Sequence, residues 1–390
     1  MKIIIYNRTI GGHHLEYIHH LYMAAIAQRA HLFYIVLPKR FEELKDNWTW
    51  PFSENIHFIL FNDGYDKKKS LTIWDLLQIS WNNIKIINHY ANEVHADKIY
   101  CNTIIELIPF APFLIRRKIR LLGIVYRIYL YDIGQKTRLS YVFDKVKFWI
   151  MSRAKVFETV FILNDRDGAN RLNKLYHTRK FLFLPDPYIP LPSENLTDFR
   201  RENGIPEGKK LFVQFGALNT NKSTIEILES IRQINDEECG SFAFAFVGVV
   251  YEDIKLRFYE IYNELKDKVQ IIVKDEYCSY KTFASLCIAC DAILTPYRRT
   301  AQSSGLIGYA AQFHKPVIAP DKGLLGSLVK SYGLGLLISD ISSECLTEAY
   351  RKVSRGEVKI SDSNYCVNNS VEAFQNVVFN SLIHSKQEFL

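Results

Sequence analysis

Short apolar runs alternate with amphipathic segments along the first half of the chain. Six runs have the composition of buried strands: KIIIYN, HLFYIVLP, IHFILF, DKIYCN, ETVFILN and KFLFLPDP. Between them apolar residues recur with helical spacing, as in the segment from about His14 to Arg29 and in IWDLLQISWNNIKIINHYANEV. Strands that are apolar on both faces need cover on both sides, and their alternation with helices predicts a parallel α/β sheet.

A proline-rich polar stretch, PDPYIPLPSENLTDFRRENGIPEGKK, interrupts this alternation and indicates a domain boundary near Pro190. Six more strand-like runs follow: LFVQFG, FAFAFVGVV, VQIIVK, AILTPY, KPVIAP and LGLLIS. We therefore predict an α/β protein of two Rossmann-like lobes with parallel sheets, at 1–190 and 191–370. Ligands of such sheets gather at the carboxyl ends of the strands, here in a cleft between the lobes. A C-terminal helix at 371–390 could cross back to the first lobe.

Composition fits this two-domain interpretation. The 390 residues are 48% hydrophobic and 23% charged, as in ordinary soluble proteins. No apolar run is long enough to span a bilayer, and the first residues have the pattern of a strand and not of a signal peptide, so we expect a cytoplasmic protein. Among the seven cysteines there is one C-x-x-C pair without a second, which favours free thiols over a zinc site.

The net charge of +7 is unevenly distributed. From Arg116 to Lys155 there are eleven basic residues, interleaved with aromatic and aliphatic ones, and only Asp132 and Asp144 oppose them. This mixture suits the surface of an anionic membrane, such as the inner face of the cytoplasmic membrane, where the protein would be peripheral. A solvated basic face on ordinary helices explains the pattern equally well. Nucleic acid is not expected as a partner, since no recognition motif accompanies the charge.

Cationic and small residues follow two strands of the second half. Lys222 comes after LFVQFG, beside a helix start that has the capping-box spacing of Ser223 and Glu226. Two arginines and the sequence Ser-Ser-Gly follow AILTPY at the start of the next helix; these residues are Arg298, Arg299, Ser303, Ser304 and Gly305. Helix starts and cations at neighbouring strand ends favour a site for a diphosphate that needs no metal, although caps and surface cations occur separately in any α/β lobe.

The same segments resemble a known family. QSSGLIGYAAQFHKPVIAPDKGLLGSLVKSYGLGLLI is similar to the donor-site segment of GT-B glycosyltransferases, and FVQFGALNTNKSTIEILESI to their strand–loop–Lys–helix segment. VFILNDRDGANRL, LPDPY and GGHHLEYIHHL resemble their first lobe, so that the resemblance covers nearly the whole chain. The nearest pattern is that of the retaining, nucleotide-sugar-dependent group 1 transferases (family 4-like).

The resemblance implies transfer of a hexose-type sugar from a nucleotide sugar to a glycan acceptor, without a cofactor or metal. The acceptor would be held by the first lobe and could be linked to a lipid diphosphate, as in polysaccharide biosynthesis. Lys222 matches the family lysine that stabilises the leaving diphosphate. The family arginine falls at Ala217, its helix glutamate at Tyr309 and the partner glutamate near Ala301. We therefore expect Arg298 or Arg299 to supply the guanidinium.

The expected donor-binding residues are Gly12, His14, Gly216, Lys222, Tyr297, Ser303, Ser304, Gly305 and Tyr309. In the first lobe, Gly11 and Gly12 would let the backbone approach a phosphate, or form a plain strand-to-helix turn. His13, Glu16 and His20 share a helix face, but their spacing is not that of a familiar metal motif. Asp132, the acid in YLYDIG, could accept the proton of an acceptor hydroxyl, or could be a solvated surface carboxylate.

Two other functions remain open on the sequence. A sugar-nucleotide epimerase of the same fold would release nucleotide without needing an acceptor. A catalytically silent GT-B module that binds a glycan or a partner protein is favoured by Tyr309 and Ala217, which replace the family's glutamate and arginine.

Overall fold

The computed structural model of the protein describes residues 1–11, 13–63, 72–131, 137–361 and 364–384. The chain divides into two compact units. The first consists of Met1–Pro187 and the segment that begins at Ser370, and the second is Tyr188–Asn369. The domain limits expected from the sequence differ from these bounds by only a few residues, and the segment after Ser370 is assigned to the first unit.

A parallel sheet of seven strands forms the centre of the first unit in the described residues, in the order β3-β2-β1-β4-β5-β6-β7. Its strands are β1 Lys2–Tyr6, β2 Leu32–Pro38, β3 Ile56–Phe61, β4 Lys98–Cys101, β5 Arg120–Val125, β6 Phe157–Leu163 and β7 Phe181–Leu184. Its helices are α1 His13–Ile26, α2 Ile73–Glu93, α3 Ala111–Leu114, α4 Arg138–Arg153, α5 Arg166–Tyr176 and α15 Val371–Ile383.

Both faces of this sheet are buried, as the apolar runs predict. Successive residues of a strand point to opposite faces. Ile3 and Ile5 therefore join the cluster formed with α1 and α15, whereas Ile4 and Tyr6 join the cluster formed with α2, α4 and α5. The run Ile3–Tyr6 is consequently apolar at consecutive positions and not only at alternate ones.

The second unit has a parallel sheet of six strands in the order β10-β9-β8-β11-β12-β13. Its strands are β8 Lys210–Phe215, β9 Phe242–Val247, β10 Gln270–Lys274, β11 Ala292–Leu294, β12 Val317–Pro320 and β13 Gly335–Ile338. Its helices are α6 Phe199–Glu202, α7 Thr224–Ile231, α8 Asp236–Cys239, α9 Lys255–Leu265, α10 Tyr280–Ala289, α11 Leu306–Gln312, α12 Gly323–Tyr332, α13 Ser343–Ser354 and α14 Tyr365–Asn368.

The predicted fold class, two α/β domains with parallel sheets, is confirmed. The seven cysteines are free thiols, five of them buried. Within the described ranges, no helix has both the length and the apolar composition that crossing a bilayer requires.

Candidate functional site

The two sheets share one connection pattern. In the first, the chain runs outward from β1 to β3 and then returns to the other side of β1 as β4. In the second, it runs from β8 to β10 and returns beside β8 as β11. Loops that leave such a switch point diverge to opposite faces of the sheet and open a crevice at its carboxyl edge, where α/β proteins bind ligands.

At the switch point of the second sheet, the loop after β8 is held in place by buried and capping polar groups. Gln214, buried within β8, donates its side-chain amide to the carbonyl of Lys222 at 2.7 Å. The side-chain oxygen of Asn219 accepts the backbone N–H of Lys222 at 3.1 Å, and Thr220 donates its hydroxyl to Asp253 at 2.7 Å. Both the N–H and the carbonyl of Lys222 are thus held by hydrogen bonds.

The loop after β11 docks onto this fixed segment. Arg298 donates its backbone N–H to the carbonyl of Asn221 at 2.9 Å, and Arg299 donates its own to the Asn221 side chain at 3.1 Å. The Nζ of Lys222 lies 3.5 Å from the centroid of the Tyr297 ring, a cation–π contact. The structure therefore brings together residues that are about 75 positions apart in the sequence.

Ser304 belongs to the same cluster. Its buried hydroxyl forms a long hydrogen bond of 3.4 Å with the hydroxyl of Tyr297. Lys222 and Ser304 therefore both contact one tyrosine, and the Lys222 turn and the Ser-Ser-Gly segment meet at the same place. Ser303 and Gly305 flank Ser304, and a side chain added at Gly305 would meet open space.

The charges of this cluster are unequally neutralised. The guanidinium of Arg298 forms an ion pair with Glu226 in the first turn of α7. Arg299 is exposed, and no carboxylate of the described chain forms an ion pair with it or with Lys222. Two cations therefore remain available to an anion at this edge of the sheet.

The sequence predicts where the helix after the Lys222 loop begins, but the capping box expected there is wrong. Ser223 and Glu226 do not form a capping box: Ser223 has a left-handed φ of 52°, its side chain caps nothing, and Glu226 pairs with Arg298 instead. A contact between loops that are distant in sequence has replaced the local one. The next helix begins at Leu306, directly after the Ser-Ser-Gly sequence as expected, with Gly305 at its N-cap.

Glycine shapes the end of β8. Gly216 has a φ of +94°, and Gly248, which follows β9, has a φ of +145°. A Cβ at Gly248 would lie 1.8 Å from the carbonyl oxygen of Gly216. Only glycine permits this conformation and this approach of two backbones.

Tyr309 lies on the α11 helix beside an aromatic row. Its ring centroid is 6.4 Å from that of Phe283, which lies 4.8 Å from that of Phe215. The position to which the family resemblance assigns a glutamate thus carries a half-buried aromatic side chain.

The switch point of the first sheet carries different groups. The Nδ1 of His14 lies 3.3 Å from the side-chain nitrogen of Asn102, at the end of β4, and 3.4 Å from the hydroxyl of Tyr126, at the end of β5. Asn102 also donates to the carbonyl of His14 at 3.2 Å. Because the Asn102 amide is a donor, Nδ1 accepts, and the neutral ring carries its proton on Nε2.

The other expected groups of the first unit are only partly described. Gly12 and Asp132 lie outside the described residues. His13 and His20 approach Glu16 at 3.2 Å and 3.9 Å, and burial lowers the pKa of His20 to about 4. In the described part of the chain, no three histidine, cysteine, aspartate or glutamate side chains are grouped as a metal would require.

Sequence reasoning missed the residues that hold the Lys222 loop. Gln214 could have been noticed, since it is a polar residue inside the otherwise apolar run LFVQFG. Asn219, Asn221 and Asp253 leave no comparable signal, because their role depends on contacts between loops.

Comparison with solved structures gives the class of fold: the chain has the GT-B fold that is found in glycosyltransferases. The WaaG glycosyltransferase, involved in lipopolysaccharide biosynthesis, superposes with a TM-score of 0.65 at 16% identity, covering 99% of this chain and 100% of WaaG. HepE of Anabaena in complex with UDP gives 0.68 at 14% identity, covering 98% and 99%. Sucrose-phosphate synthase of Thermosynechococcus elongatus gives 0.67 at 14% identity, covering 98% and 96%. No protein-family model and no curated protein sequence matches the chain.

Proposed function

We propose that the protein is a glycosyltransferase that moves a sugar from a nucleotide sugar to a glycan acceptor. The observation that carries this proposal is the cluster at the β8–β11 switch point, where Lys222 lies over Tyr297 and Arg299 follows on the docked loop. HepE, which shares the fold, was crystallised with UDP and with UDP-glucose. A diphosphate of this kind is the ligand that two unneutralised cations suit.

The reaction that we propose breaks the bond between the anomeric carbon and the diphosphate oxygen, and forms one to an acceptor hydroxyl oxygen. Negative charge builds on the leaving diphosphate as the bond breaks, so Lys222 stabilises the transition state more than the ground state. Its fixed backbone means that little reorganisation is needed. We assign charge stabilisation to side-chain cations, and we therefore propose a reaction independent of a metal. The outcome at the anomeric carbon is proposed as retention, on the family resemblance alone.

Arg299 is the better candidate for the guanidinium that the family places at Ala217. Arg298 lies on the same loop, but Glu226 neutralises it. An exposed arginine without a carboxylate partner in the described chain keeps its full charge for a phosphate. Gly216, Tyr297, Ser303, Ser304, Gly305 and Tyr309 remain proposed donor contacts.

We propose that the first unit serves the acceptor side. His14 is held by Asn102 and Tyr126 in the tautomer that presents an N–H, which can donate to a sugar hydroxyl. Asp132 remains the proposed proton acceptor, and Gly12 a proposed backbone contact. A lipid-linked glycan as acceptor, a role in polysaccharide biosynthesis and a place on the inner face of the cytoplasmic membrane complete the proposal. The involvement of WaaG in lipopolysaccharide biosynthesis supports this direction.

A silent binding module is the second candidate. It is favoured by Tyr309, which stands where the family resemblance places a glutamate. The Tyr309 ring lies near that of Phe283, so this position has an aromatic environment. Titration calorimetry of the purified chain with UDP, GDP, ADP and CDP separates the candidates. We expect one nucleotide to bind, and its sugar ester to release nucleotide only when a glycan acceptor is added. Binding of no nucleotide would overturn the proposal in favour of the silent module, and release without acceptor would favour the epimerase.

A further inference from the structure

The outward face of α4 in the first unit is apolar. Leu139 is 66% exposed and Trp149 is 53% exposed, and three further apolar side chains between them are also exposed: Val142, Phe143 and Val146. With 3.6 residues per turn, these five positions lie on one side of the helix. Phe148 and Met151 lie on the opposite side and are fully buried in the core. A surface helix normally turns polar residues outward, so α4 has a second apolar face that none of the described residues of the unit covers.

Cations border this apolar face. The helix carries four of them, Arg138, Lys145, Lys147 and Arg153, against the single carboxylate of Asp144. Lys147 forms an ion pair with Asp144 at 3.3 Å, which leaves three cations in excess of the pair. A helix with an apolar strip and a cationic border has the form that binds at the interface of an anionic bilayer.

Two other helices of the unit also carry exposed aromatic side chains. The inner residues of α2, α3 and α4 belong to one buried cluster, so the three helices cover the same face of the first sheet. Phe113 of α3 is 82% exposed and Trp74 of α2 is 79% exposed. Trp81 of α2 is also exposed and packs edge-on against Phe110, with ring centroids 5.5 Å apart. Aromatic side chains of this kind are typical of the interfacial layer of membranes.

We infer that this surface, formed by α4 with Phe113 and Trp74, docks the first unit on an anionic lipid bilayer, with α4 lying in the headgroup layer. A symmetric pair of chains would cover the apolar side chains but would bring the excess cations of both copies together, which opposes that alternative. The inference deepens the proposed function and rests on it for its meaning, because a lipid-linked acceptor is reached from the membrane surface.

The test is sedimentation of the purified full-length chain with vesicles at low salt. The anionic vesicles contain phosphatidylethanolamine and phosphatidylglycerol, and the neutral ones phosphatidylcholine. We expect strong binding to the anionic vesicles and much weaker binding to the neutral ones. The double variant Leu139→Ser/Val146→Ser should lower partitioning at least about tenfold, because the buried apolar area drives insertion. Lys145→Glu/Arg153→Glu should lower binding to anionic vesicles about tenfold or more and make the remainder insensitive to salt.

The matched control is Leu256→Ser, since Leu256 is exposed on α9 of the second unit. It should bind vesicles like the parent chain. Trp149→Phe keeps the apolar surface while it removes a fluorophore, so vesicle binding should persist and the blue shift of emission should shrink. Parent chain that stays in the supernatant with anionic vesicles overturns the inference. The inference is also overturned if Leu139→Ser/Val146→Ser lowers vesicle binding no more than Leu256→Ser does. It is likewise overturned if the parent chain is a dimer in solution and Leu139→Ser/Val146→Ser dissociates that dimer.

Nucleotide titration of the same variants keeps this inference separate from the proposed function. Loss of vesicle binding with nucleotide binding retained is the expected behaviour of the α4 variants. If the parent chain binds nucleotide but no vesicle, only the membrane inference fails. If it binds vesicles but no nucleotide, the docking surface stands and the glycosyltransferase proposal fails.

Discussion

The two switch points differ in chemistry although their topology is the same. At the first, His14, Asn102 and Tyr126 offer hydrogen bonds and carry no fixed charge. At the second, Lys222 and Arg299 carry charge that no carboxylate of the described chain neutralises. A repeated sheet provides the same location twice, and the loops decide what each location can bind. This difference is the reason that we propose phosphate binding at the second and hydroxyl binding at the first.

Gly248→Ala should have the largest effect, because it should destabilise the backbone at the second switch point. The new Cβ would overlap the Gly216 carbonyl at 1.8 Å, in a backbone conformation with a φ of +145°. Left-handed strain and overpacking together should cost about 3 kcal/mol of the unfolding free energy of the second unit. Urea unfolding followed by far-UV circular dichroism measures this loss. Gly240→Ala is the matched control, because its φ is −68° and a Cβ there meets open space; equal effects of the two variants would contradict the prediction.

Lys222→Ala should weaken nucleotide binding with little effect on folding. A charge-assisted hydrogen bond to phosphate contributes about 1.5–3 kcal/mol, so we expect roughly a ten- to hundredfold rise in Kd. Turnover should fall further, since the lysine acts most strongly in the transition state. Titration calorimetry measures the affinity. Lys266→Ala removes an exposed lysine after α9, at the opposite edge of the sheet, and should change nothing. If Lys222→Ala leaves the nucleotide Kd unchanged, the diphosphate does not bind at this loop.

Acid should destabilise the first unit selectively. His20 packs against Phe374 of α15, and its burial lowers its pKa to about 4, while Glu16 at 3.9 Å opposes this shift only in part. The unfolded chain, with a histidine pKa near about 6.5, binds more protons between these values, so stability falls as the pH drops from about 6.5 towards 4. The contribution of His20 to the unfolding free energy should fall by about 2 kcal/mol between pH 7 and pH 5.

Tryptophan fluorescence reports this loss from the first unit alone, because the five tryptophans all precede Pro187. Urea unfolding at each pH gives the free energy. In His20→Gln the decrease in unfolding free energy between pH 7 and pH 5 should be smaller by about 2 kcal/mol. The second unit contains one histidine, the exposed His314, and therefore has no counterpart of the buried His20. If the unfolding free energy of His20→Gln depends on pH as strongly as that of the parent chain, another group causes the acid sensitivity.

Twelve of the thirteen strands in the described residues were predictable, because burial on both faces leaves a direct mark on the sequence. Strand β5, Arg120–Val125, was not among the predicted runs, since it lies within the basic segment that begins at Arg116. IIIY of β1 and FAFAFV of β9 are apolar at every position, and no tertiary information is needed to recognise them. Lys222 and Arg298 could be placed near each other for the same reason, since both follow predicted strands that lie side by side in the sheet. The end of helix α1 was extended by three residues, to Arg29 instead of Ile26, because helix ends depend on weak local signals.

The details of the candidate site were not predictable in the same way. The Ser223–Glu226 spacing is a valid local signal for a capping box, but Glu226 gains an arginine partner 72 positions away. Asn221 binds the backbone of both Arg298 and Arg299, and nothing in the local sequence distinguishes it from Asn219. Contacts between loops are decided by the assembled sheet, so they follow from the fold and not from the local pattern.

Arg299→Ala and Arg298→Ala should differ, although the two residues are adjacent. Loss of the Arg299 guanidinium should cost about 1.5 kcal/mol of nucleotide binding, or roughly tenfold in Kd. Loss of Arg298 should cost less than about threefold, because Glu226 already neutralises it. Glu226→Gln frees Arg298 and should strengthen binding slightly. Affinities measured by calorimetry at low and at high salt check this order, and the reverse order would assign the phosphate contact to Arg298.

His14→Ala should give the smallest effect and affect a different quantity. His14 contributes a neutral hydrogen bond at the first switch point, which is typically worth about 1 kcal/mol, or about fivefold. We expect nucleotide Kd to stay constant while the KM for the glycan acceptor rises by that factor. Asn102→Ala, which removes the group that fixes the ring, should reproduce the change without touching the imidazole. A rise in nucleotide Kd instead would mean that the first switch point also binds phosphate, and the division of chemistry between the two sheets would no longer hold.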